Sequence, residues 1–289
     1  MNLNILEKPV LAGTIVVAKV GGNVVENKVL LSKLIADIAI LTKSGLSLAL
    51  VHGGGTAIDK KLQESGTVPS KINGLRVTDK KTLGVVVEVL SEINQSIVGK
   101  LAAAGVLSAG FLPGSQQIFQ GEKLQLKGPS GEILDLGYTG KIINSHTAGI
   151  NEAFLNGYVP VVAPIASDKD GNLYNINADH AALALASALN ADKLISITDV
   201  PGLLADPQKP CSIIKHINLS EAKEIVESGT LHGGMLPKLQ SCVEALEAGV
   251  ASVQIIDGSE EHGLLKALTA LDSIGTIISK TKYAPGSTG

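Results

Sequence analysis

Short apolar runs and helix-like repeats alternate along the first part of the chain. TIVVAK (14–19) and LSLALV (46–51) have the length and composition of buried parallel strands. Between them, apolar residues recur every three or four positions, as they do on one face of a helix: Leu30, Leu34, Ile38 and Leu41. This strand-helix-strand order predicts a parallel sheet covered by helices.

The alternation continues to the end of the chain with one interruption. A long helix is predicted over 79–105, and polar turns between short alternating runs favour hairpins over 107–142. YVPVVAPIA (158–166) is predicted to be one buried strand, and LYNIN (173–177) a short one. The later predictions are a helix after Asn177-Ala178-Asp179, strands at KLISITDV, SVQIID and GTIIS, and helices at NLSEAKEIVESG, GGMLPKLQSCVEALEAG and EEHGLLKAL.

These elements predict an α/β fold, an αβα sandwich around a central, mainly parallel sheet. We expect two lobes, 1–178 and 179–289, with the boundary at the start of the helix after Asn177.

Composition excludes several classes of protein. In 289 residues no apolar run approaches the ~18 to 20 that a membrane span needs, and the start of the chain predicts no secretory signal. A net charge of −3 and 2% aromatic residues argue against nucleic-acid binding. Cys211 and Cys242 do not make a disulfide framework, so a reducing cytoplasm is expected.

Glycines and lysines stand where strands are predicted to end. Lys19 precedes Gly21-Gly22, His52 precedes three glycines, and Gly233-Gly234 precedes Lys238. Ligands collect at the carboxyl ends of parallel strands, where glycine N–H groups and helix N-termini can hold phosphate. GxxxxGK[ST], GxGxxG, HExxH and GxSxG are absent from the sequence. The pattern therefore predicts phosphate handling without a P-loop, a Rossmann fingerprint or a hydrolase motif.

Arg76, within NGLRVTD (73–79), is the only arginine in the chain. Its planar guanidinium can bind a carboxylate through two parallel hydrogen bonds, which lysine cannot do. One interpretation is that Arg76 binds an anionic substrate. The alternatives are a buried structural ion pair, or chance in a lysine-rich chain.

Six motifs in order carry a resemblance to a known family. They are KVGGN (19–23), VHGGG (51–55), NGLRVTD (73–79), YNINAD (174–179), TDVPGLL (198–204) and GGMLPK (233–238). The series resembles the N-acetylglutamate kinases of the amino-acid kinase superfamily over residues 14 to 280. The resemblance implies the amino-acid kinase fold, with substrate binding and dimerisation in the N-terminal lobe and ATP binding in the C-terminal lobe. It implies transfer of the γ-phosphoryl of ATP, with Mg²⁺, to the side-chain carboxylate of N-acetyl-L-glutamate in arginine biosynthesis.

The resemblance also implies a role for each motif residue. Lys19 and Lys238 would flank the transferring phosphoryl, and Asp179 would orient both ammonium groups. Arg76 would bind the unreactive α-carboxylate, helped by Asn175. N–H groups of the glycine loops would hold phosphate or carboxylate oxygens, with Gly53 and Gly54 on the substrate and Gly21 and Gly22 on the nucleotide. Thr198, Asp199 and Gly234 would lie near the nucleotide. No protein metal site is expected, so Mg²⁺ would arrive with ATP.

Plainer interpretations remain for four of these residues. Lys19 could be a solvated lysine at a strand end, and Asp179 could be the N-cap of the helix it begins. Thr198 and Asp199 could simply end a strand. His52 is expected to bond locally rather than act in acid–base chemistry.

Two departures from the family concern assembly and regulation. Only about 13 residues precede the first strand, and Pro9 interrupts them, whereas family hexamers use a long N-terminal helix. Lys266 and Ala267 occupy a stretch where the family's arginine response uses an acidic residue. We therefore expect a homodimer with little inhibition by arginine.

Two other functions stay open at this stage. One is a sister kinase for another acidic amino acid, such as aminoadipate, free or carrier-linked. The other is a non-catalytic protein that senses nucleotide or amino acid on the same fold.

Overall fold

A mainly parallel sheet runs through the computed structural model, which describes residues 11–114, 117–128, 130–206, 208–209, 211–228, 235–269 and 274–281. Its eight strands in this part of the chain are β1 (Ile15–Val20), β2 (Ser47–His52), β5 (Ser108–Phe111), β8 (Val159–Val162), β11 (Lys193–Thr198), β12 (His216–Asn218), β13 (Ser252–Asp257) and β14 (Thr276–Ser279). Their order is β12-β14-β13-β11-β1-β2-β8-β5, and only β13 and β14 pair antiparallel. The predicted α/β fold class is confirmed.

Helices cover both faces of this sheet. They are α1 (Gly22–Glu26), α2 (Lys28–Leu41), α3 (Gly55–Glu64), α4 (Lys80–Ala103), α5 (Ala148–Leu155), α6 (Ala178–Ala188), α7 (Leu219–Ser228), α8 (Met235–Glu247) and α9 (Gly263–Thr269). Alternate residues of β1 face different cores, because side chains alternate across a strand. Val17 packs in a core with α6 and α8, whereas Val16 and Ala18 pack with α2 and α9.

Short strands form two smaller units beside the sheet. The first is a closed barrel of β6 (Phe119–Lys127), β7 (Ile133–Ser145), β9 (Ile165–Ser167) and β10 (Leu173–Asn175). Its β6–β7 pair confirms a hairpin in the polar region. The second is the hairpin of β3 (Lys71–Ile72) and β4 (Leu75–Arg76). Both units contribute residues to the candidate site.

Three differences from the predicted elements concern strands of the main sheet. The single strand predicted over 158–166 is two, β8 and β9, because Pro164 lies between them and has no N–H for a sheet bond. Ser108–Phe111, within the region predicted as hairpins, is instead the edge strand of the main sheet. The strand β12 was not predicted; three residues are too few for a period-2 pattern.

No helix in the described ranges is both long and apolar enough to cross a membrane.

Candidate active site

The carboxyl ends of three neighbouring strands bring the predicted motifs together. β1 lies between β2 and β11, and Lys19 is in register with Val51 and Ser196. The loops that follow these strands therefore meet at one edge of the sheet. They border a cavity of about 230 Å³, whose polar lining includes Lys19, Gly22, Gly53, Gly54, Gly55, Lys71, Arg76, Thr139, Asn175, Asn177 and Asp179.

Lys19 and Asp179 form an ion pair at this edge. The Lys19 Nζ lies 2.9 Å from the Asp179 Oδ1, and the lysine is only 8% exposed. The alternative that Lys19 is a solvated lysine is therefore wrong. The cap alternative for Asp179 is wrong too, because Asn177 is the N-cap and accepts hydrogen bonds from the N–H groups of Asp179 and His180. The cap leaves the Asp179 carboxylate free to pair with Lys19.

Lys238 approaches the same pair from α8. A smaller cavity of about 20 Å³ is lined by Lys19, Asp179 and Lys238, together with residues of β11 and α8. The Lys238 Nζ is 4.0 Å from the Asp199 Oδ1, at the outer limit of an ion pair. Two ammonium groups and the Asp179 carboxylate thus line one small space, with Asp199 close to Lys238, which suits the transfer of an anionic group.

Asp199 is held by its neighbours as a carboxylate. Burial raises its pKa, but the Thr198 hydroxyl and the charges of Lys238 and Lys19 outweigh burial and leave the pKa below its usual value. Thr198 donates to the Asp199 Oδ1 at 3.0 Å, and the Asn23 amide to the Oδ2 at 3.3 Å. Asn23 also accepts from the Thr56 hydroxyl at 3.2 Å, which joins the two glycine loops. Sequence analysis did not single out Asn23, although it ends the KVGGN motif.

The structure revises the expectation that the N–H groups of Gly21, Gly22, Gly53 and Gly54 all bind anions. The Gly21 N–H donates to the Ile197 carbonyl at 2.9 Å, and the Gly53 N–H to the Val20 carbonyl at 2.8 Å. These two N–H groups hold the loops against the sheet. Within the described residues, the N–H groups of Gly22, Gly54 and Gly55 donate no hydrogen bond to the protein.

The three uncommitted N–H groups lie close together. A Cβ on Gly22 would lie 3.3 Å from the Gly55 nitrogen and 3.6 Å from the Gly54 nitrogen. Absence of that Cβ leaves a concave space lined by backbone donors at the start of α1 and α3. Such a group of N–H donors binds negatively charged oxygens.

Arg76 is buried and paired, and it also lines the cavity. Its Nη1 lies 2.5 Å from the Asp59 Oδ1, and its Nη2 donates to the Gly55 carbonyl at 3.1 Å. The short contact at Nη1 makes Asp59 the ion-pair partner of the guanidinium. Lys71 pairs with the Asp59 Oδ2 at 2.9 Å. Arg76 therefore forms a structural ion pair and also lines the cavity.

Asp59 and Lys71 were missed by sequence analysis, although Lys71 is five residues before Arg76 and Asp59 follows VHGGG closely. Burial raises the pKa of Asp59, but hydrogen bonds from Lys71 and Arg76 outweigh burial and keep the pKa below its usual value. Asp59 is thus an anion between two cations.

Asn175 joins a network of hydroxyl groups behind Arg76. Its amide donates to the Thr78 hydroxyl at 3.1 Å, and Thr78 and Thr139 share a hydrogen bond of 3.0 Å. Thr139 in turn donates a very short hydrogen bond to the Arg76 carbonyl. The network fixes the backbone at Arg76. Thr139 lies 63 residues from Arg76 along the chain, and no local pattern could have identified it.

His52 is buried and bonds locally, as expected. Burial lowers its pKa to about 4, against the raising effect of its hydrogen bond to the Gly53 carbonyl. It is therefore neutral at pH 7.

One predicted site residue falls in a gap of the described ranges. Gly234 lies outside them, with the rest of 229–234. Over the residues with assigned positions, no three His, Cys, Asp or Glu side chains come together as metal ligands.

Comparison with known proteins gives a consistent result. The family model described as "Amino acid kinase family" matches residues 14–257. A protein of Methanosphaera stadtmanae named acetylglutamate kinase is 38% identical over 269 residues, which are 91% of this chain and 90% of that protein. One of Clostridium acetobutylicum with the same name is 39% identical over 270 residues, 93% of this chain and 90% of that protein.

Solved structures agree on the fold. An N-acetylglutamate synthase from Neisseria gonorrhoeae, complexed with coenzyme A and N-acetyl-glutamate, matches with a TM-score of 0.83 and 27% identity over 94% of this chain. This chain spans only 61% of the synthase's length. A carbamate kinase from Giardia lamblia bound to AMP-PNP matches with a TM-score of 0.65 over 93% of this chain and 99% of that chain. At 19% identity it shows the fold alone.

Proposed function

The chain belongs to the amino acid kinase family, and on that premise we propose that it transfers the γ-phosphoryl of MgATP to the side-chain carboxylate of N-acetyl-L-glutamate. The product would be N-acetyl-L-glutamyl 5-phosphate, an intermediate of arginine biosynthesis. The relatives named acetylglutamate kinase support this substrate. The observation that carries the proposal is the Lys19–Asp179 pair beside Lys238 and three uncommitted glycine N–H groups.

The reaction joins two anions, so positive charge and positioning are what the protein must supply. A carboxylate is already a nucleophile and needs no general base. We infer that Lys19 and Lys238 neutralise charge on the transferring phosphoryl, with Asp179 orienting Lys19 through the 2.9 Å contact. The N–H groups of Gly22 and Gly54 would bind oxygens of the reacting groups. Gly21 and Gly53 contribute by holding the loops, and Thr198, Asp199 and Gly234 would border the nucleotide.

Arg76 and Asn175 would bind the other end of the substrate. Arg76 and Asn175 both border the cavity, and the guanidinium has more N–H donors than its contacts with Asp59 and Gly55 use. We propose that both contact the α-carboxylate, so that the side-chain carboxylate faces ATP.

Mg²⁺ fits this site as a companion of ATP rather than as a resident ion. The described residues offer no group of three metal-ligating side chains. When bound with ATP, Mg²⁺ would neutralise phosphate charge while phosphate oxygens and water supply its ligands. Calorimetry should then detect no tight Mg²⁺ binding to the nucleotide-free protein.

The two predicted lobes divide these roles. Gly53, Gly54, Arg76 and Asn175 fall within 1–178, which we propose as the substrate lobe, and Lys238 falls within 179–289, the ATP lobe. The proposed division refers to function and not to separate sheets, because β1 and β11 lie on its two sides and pair in one sheet. We further infer a homodimer, little affected by arginine, from the departures from the family at Pro9 and at Lys266 and Ala267, and light scattering tests the dimer. A cytoplasmic location is inferred from ATP use and from two free thiols, Cys211 and Cys242.

An acyl phosphate assay tests the proposal. Acyl phosphates react with hydroxylamine to give coloured hydroxamates, while coupled enzymes record ADP release. N-Acetyl-L-glutamate should give both, and N-acetyl-aminoadipate, glutamate and aspartate far less. A preference for an aminoadipate substrate would favour the sister kinase. Binding of ATP without any acyl phosphate would favour a sensor and contradict the proposal.

A further inference from the structure

A buried histidine and a buried asparagine lie behind the glycine loop that follows β2. His52 is 0% exposed, and Asn94 of α4 is 1% exposed. Neither side chain lines the two cavities of the site. Any effect that they have on the chemistry must therefore pass through the backbone they contact.

The partners of this pair determine where its protons lie. The Val161 carbonyl can only accept, so the Asn94 side-chain atom 2.8 Å from it is the amide nitrogen. That nitrogen is also 3.2 Å from the His52 Nε2, which must then be the acceptor. The ring proton is consequently on Nδ1, which donates to the Gly53 carbonyl at 3.1 Å. The pKa of about 4, lowered by burial, keeps the ring neutral with this one tautomer.

The hydrogen bond to Gly53 sets the direction of the next N–H group. A trans peptide is planar, so the Gly53 carbonyl and the Gly54 N–H point in opposite directions. The Gly53 N–H is itself held by the Val20 carbonyl at 2.8 Å. Rotation of this peptide would break a buried hydrogen bond. The Gly54 N–H therefore stays beside the Gly22 and Gly55 nitrogens, where Gly54 lines the cavity.

We propose that Asn94 and His52 are positioning residues that hold the Gly53–Gly54 peptide so that the Gly54 N–H binds a negatively charged oxygen of the reacting groups. The inference rests on the proposed phosphoryl transfer, in which preorganised donors lower the barrier. Asn94 fixes the tautomer of His52, and His52 fixes the peptide. Neither residue touches the substrate.

Two substitutions distinguish this role from simple packing. In His52→Asn, the amide nitrogen can occupy the place of Nδ1 and still donate to the Gly53 carbonyl. In His52→Gln, the side chain reaches the place of Nε2 and can accept from Asn94, but nothing remains at Nδ1. Glutamine is the closer match to histidine in volume. Packing alone therefore predicts that His52→Gln is the milder change, and positioning predicts the reverse.

We expect His52→Gln to lower kcat about tenfold to a hundredfold with little change in either KM, because the donor matters most in the transition state. His52→Asn should stay within about threefold of the wild-type kcat. Equal losses, or a more active His52→Gln, would overturn the proposal. Gln254→Met is the matched control. Gln254 is also a buried amide, donating to the Ile274 carbonyl at 2.9 Å, and its loss should lower Tm and leave kcat unchanged.

A measurement without substrate separates this inference from the proposed function. Nitrogen-15 NMR of the wild-type protein should show the His52 proton on Nδ1, unchanged from pH 8 down to about pH 5. The Asn94→Leu variant should lose that fixed tautomer. A wild-type proton on Nε2 would overturn the positioning role even if the enzyme were active. Absence of acyl phosphate from the wild type would overturn the proposed function alone.

Discussion

Two charged clusters meet at the candidate site, where Lys19 and Asp179 of one and Arg76 and Lys71 of the other line the same cavity, and the clusters are built differently. The transfer cluster, Lys19, Asp179, Lys238 and Asp199, stands on or directly after the central strands β1 and β11 and on the helices α6 and α8. The anchor cluster, Arg76, Asp59 and Lys71, joins Asp59 of α3 to a hairpin whose strands have two residues each. The first is supported by the sheet, and the second by its own ion pairs and the hydroxyl network. The proposed chemistry and the proposed recognition thus fall on different elements.

The clusters also differ in how their cations are paired. In the anchor cluster Asp59 contacts both cations, at 2.5 Å and 2.9 Å, which leaves one net positive charge for a single carboxylate. In the transfer cluster Lys238 is 4.0 Å from its nearest ion-pair partner among the described residues. A loosely paired ammonium group can follow a moving phosphoryl. We therefore expect substitutions in the transfer cluster to change kcat, and those in the anchor cluster to change KM for the amino acid.

The largest effect should come from the transfer cluster. Lys19→Ala and Lys238→Ala should each lower kcat by about a hundredfold or more, because one preorganised charge in a transition state is worth on the order of 3 kcal/mol. Each KM should change far less. Steady-state kinetics with both substrates measures this. A variant that keeps a near-normal kcat would show that its lysine has no role in transfer.

Lys193 offers a matched control for Lys19. It is also a buried lysine of the main sheet, 9% exposed. It begins β11, where it pairs with Val16, three residues before Lys19 in β1. Lys193→Ala should lower Tm, since its Nζ donates to the Ala267 carbonyl at 3.0 Å. Its kcat should stay close to that of the wild type. A large loss of kcat would show that removing a buried lysine from this sheet acts through stability.

The transfer cluster could be predicted from sequence more fully than the anchor cluster. Lys19 ends an apolar run beside two glycines, and the ends of parallel strands meet, so the sequence pattern placed it at a ligand site. The sequence around Asp59 and Thr139 gave no such indication, because the residues that they contact lie on other elements. The prediction of the strands was limited in the same way. β5 has only one buried residue, Phe111, and its side-chain pattern did not distinguish it from the polar hairpins.

A moderate effect is expected from Arg76→Lys, which keeps the charge of the anchor cluster and removes the planar fork. KM for the amino acid should rise about tenfold to a hundredfold, since a charge-assisted hydrogen bond is worth roughly 1.5 to 3 kcal/mol. KM for ATP should hardly change, and kcat should fall less than in Lys19→Ala. If Arg76 serves only its pair with Asp59, the variant will instead show a lower Tm and an unchanged KM.

The smallest expected effect is on the stability of the Asp59→Asn variant and its dependence on pH. Its pKa is below the usual 3.8 in the folded state, so its contribution to stability is complete above about pH 3.8 and is lost as pH falls through the folded pKa. An asparagine side chain cannot titrate, so the Asp59→Asn variant lacks this contribution at every pH. At pH 7 the variant should be less stable by about 1 kcal/mol, because the carboxylate is partly exposed. The difference should be smaller at pH 3, because the wild-type contribution already declines as pH falls below about 3.8. Urea unfolding of both proteins at the two pH values measures this, and the other carboxylates cancel in the comparison. A difference that stays constant with pH would mean that packing, and not charge, links Asp59 to Arg76 and Lys71. The anchor cluster would then depend on the shape of the hairpin rather than on its ion pairs.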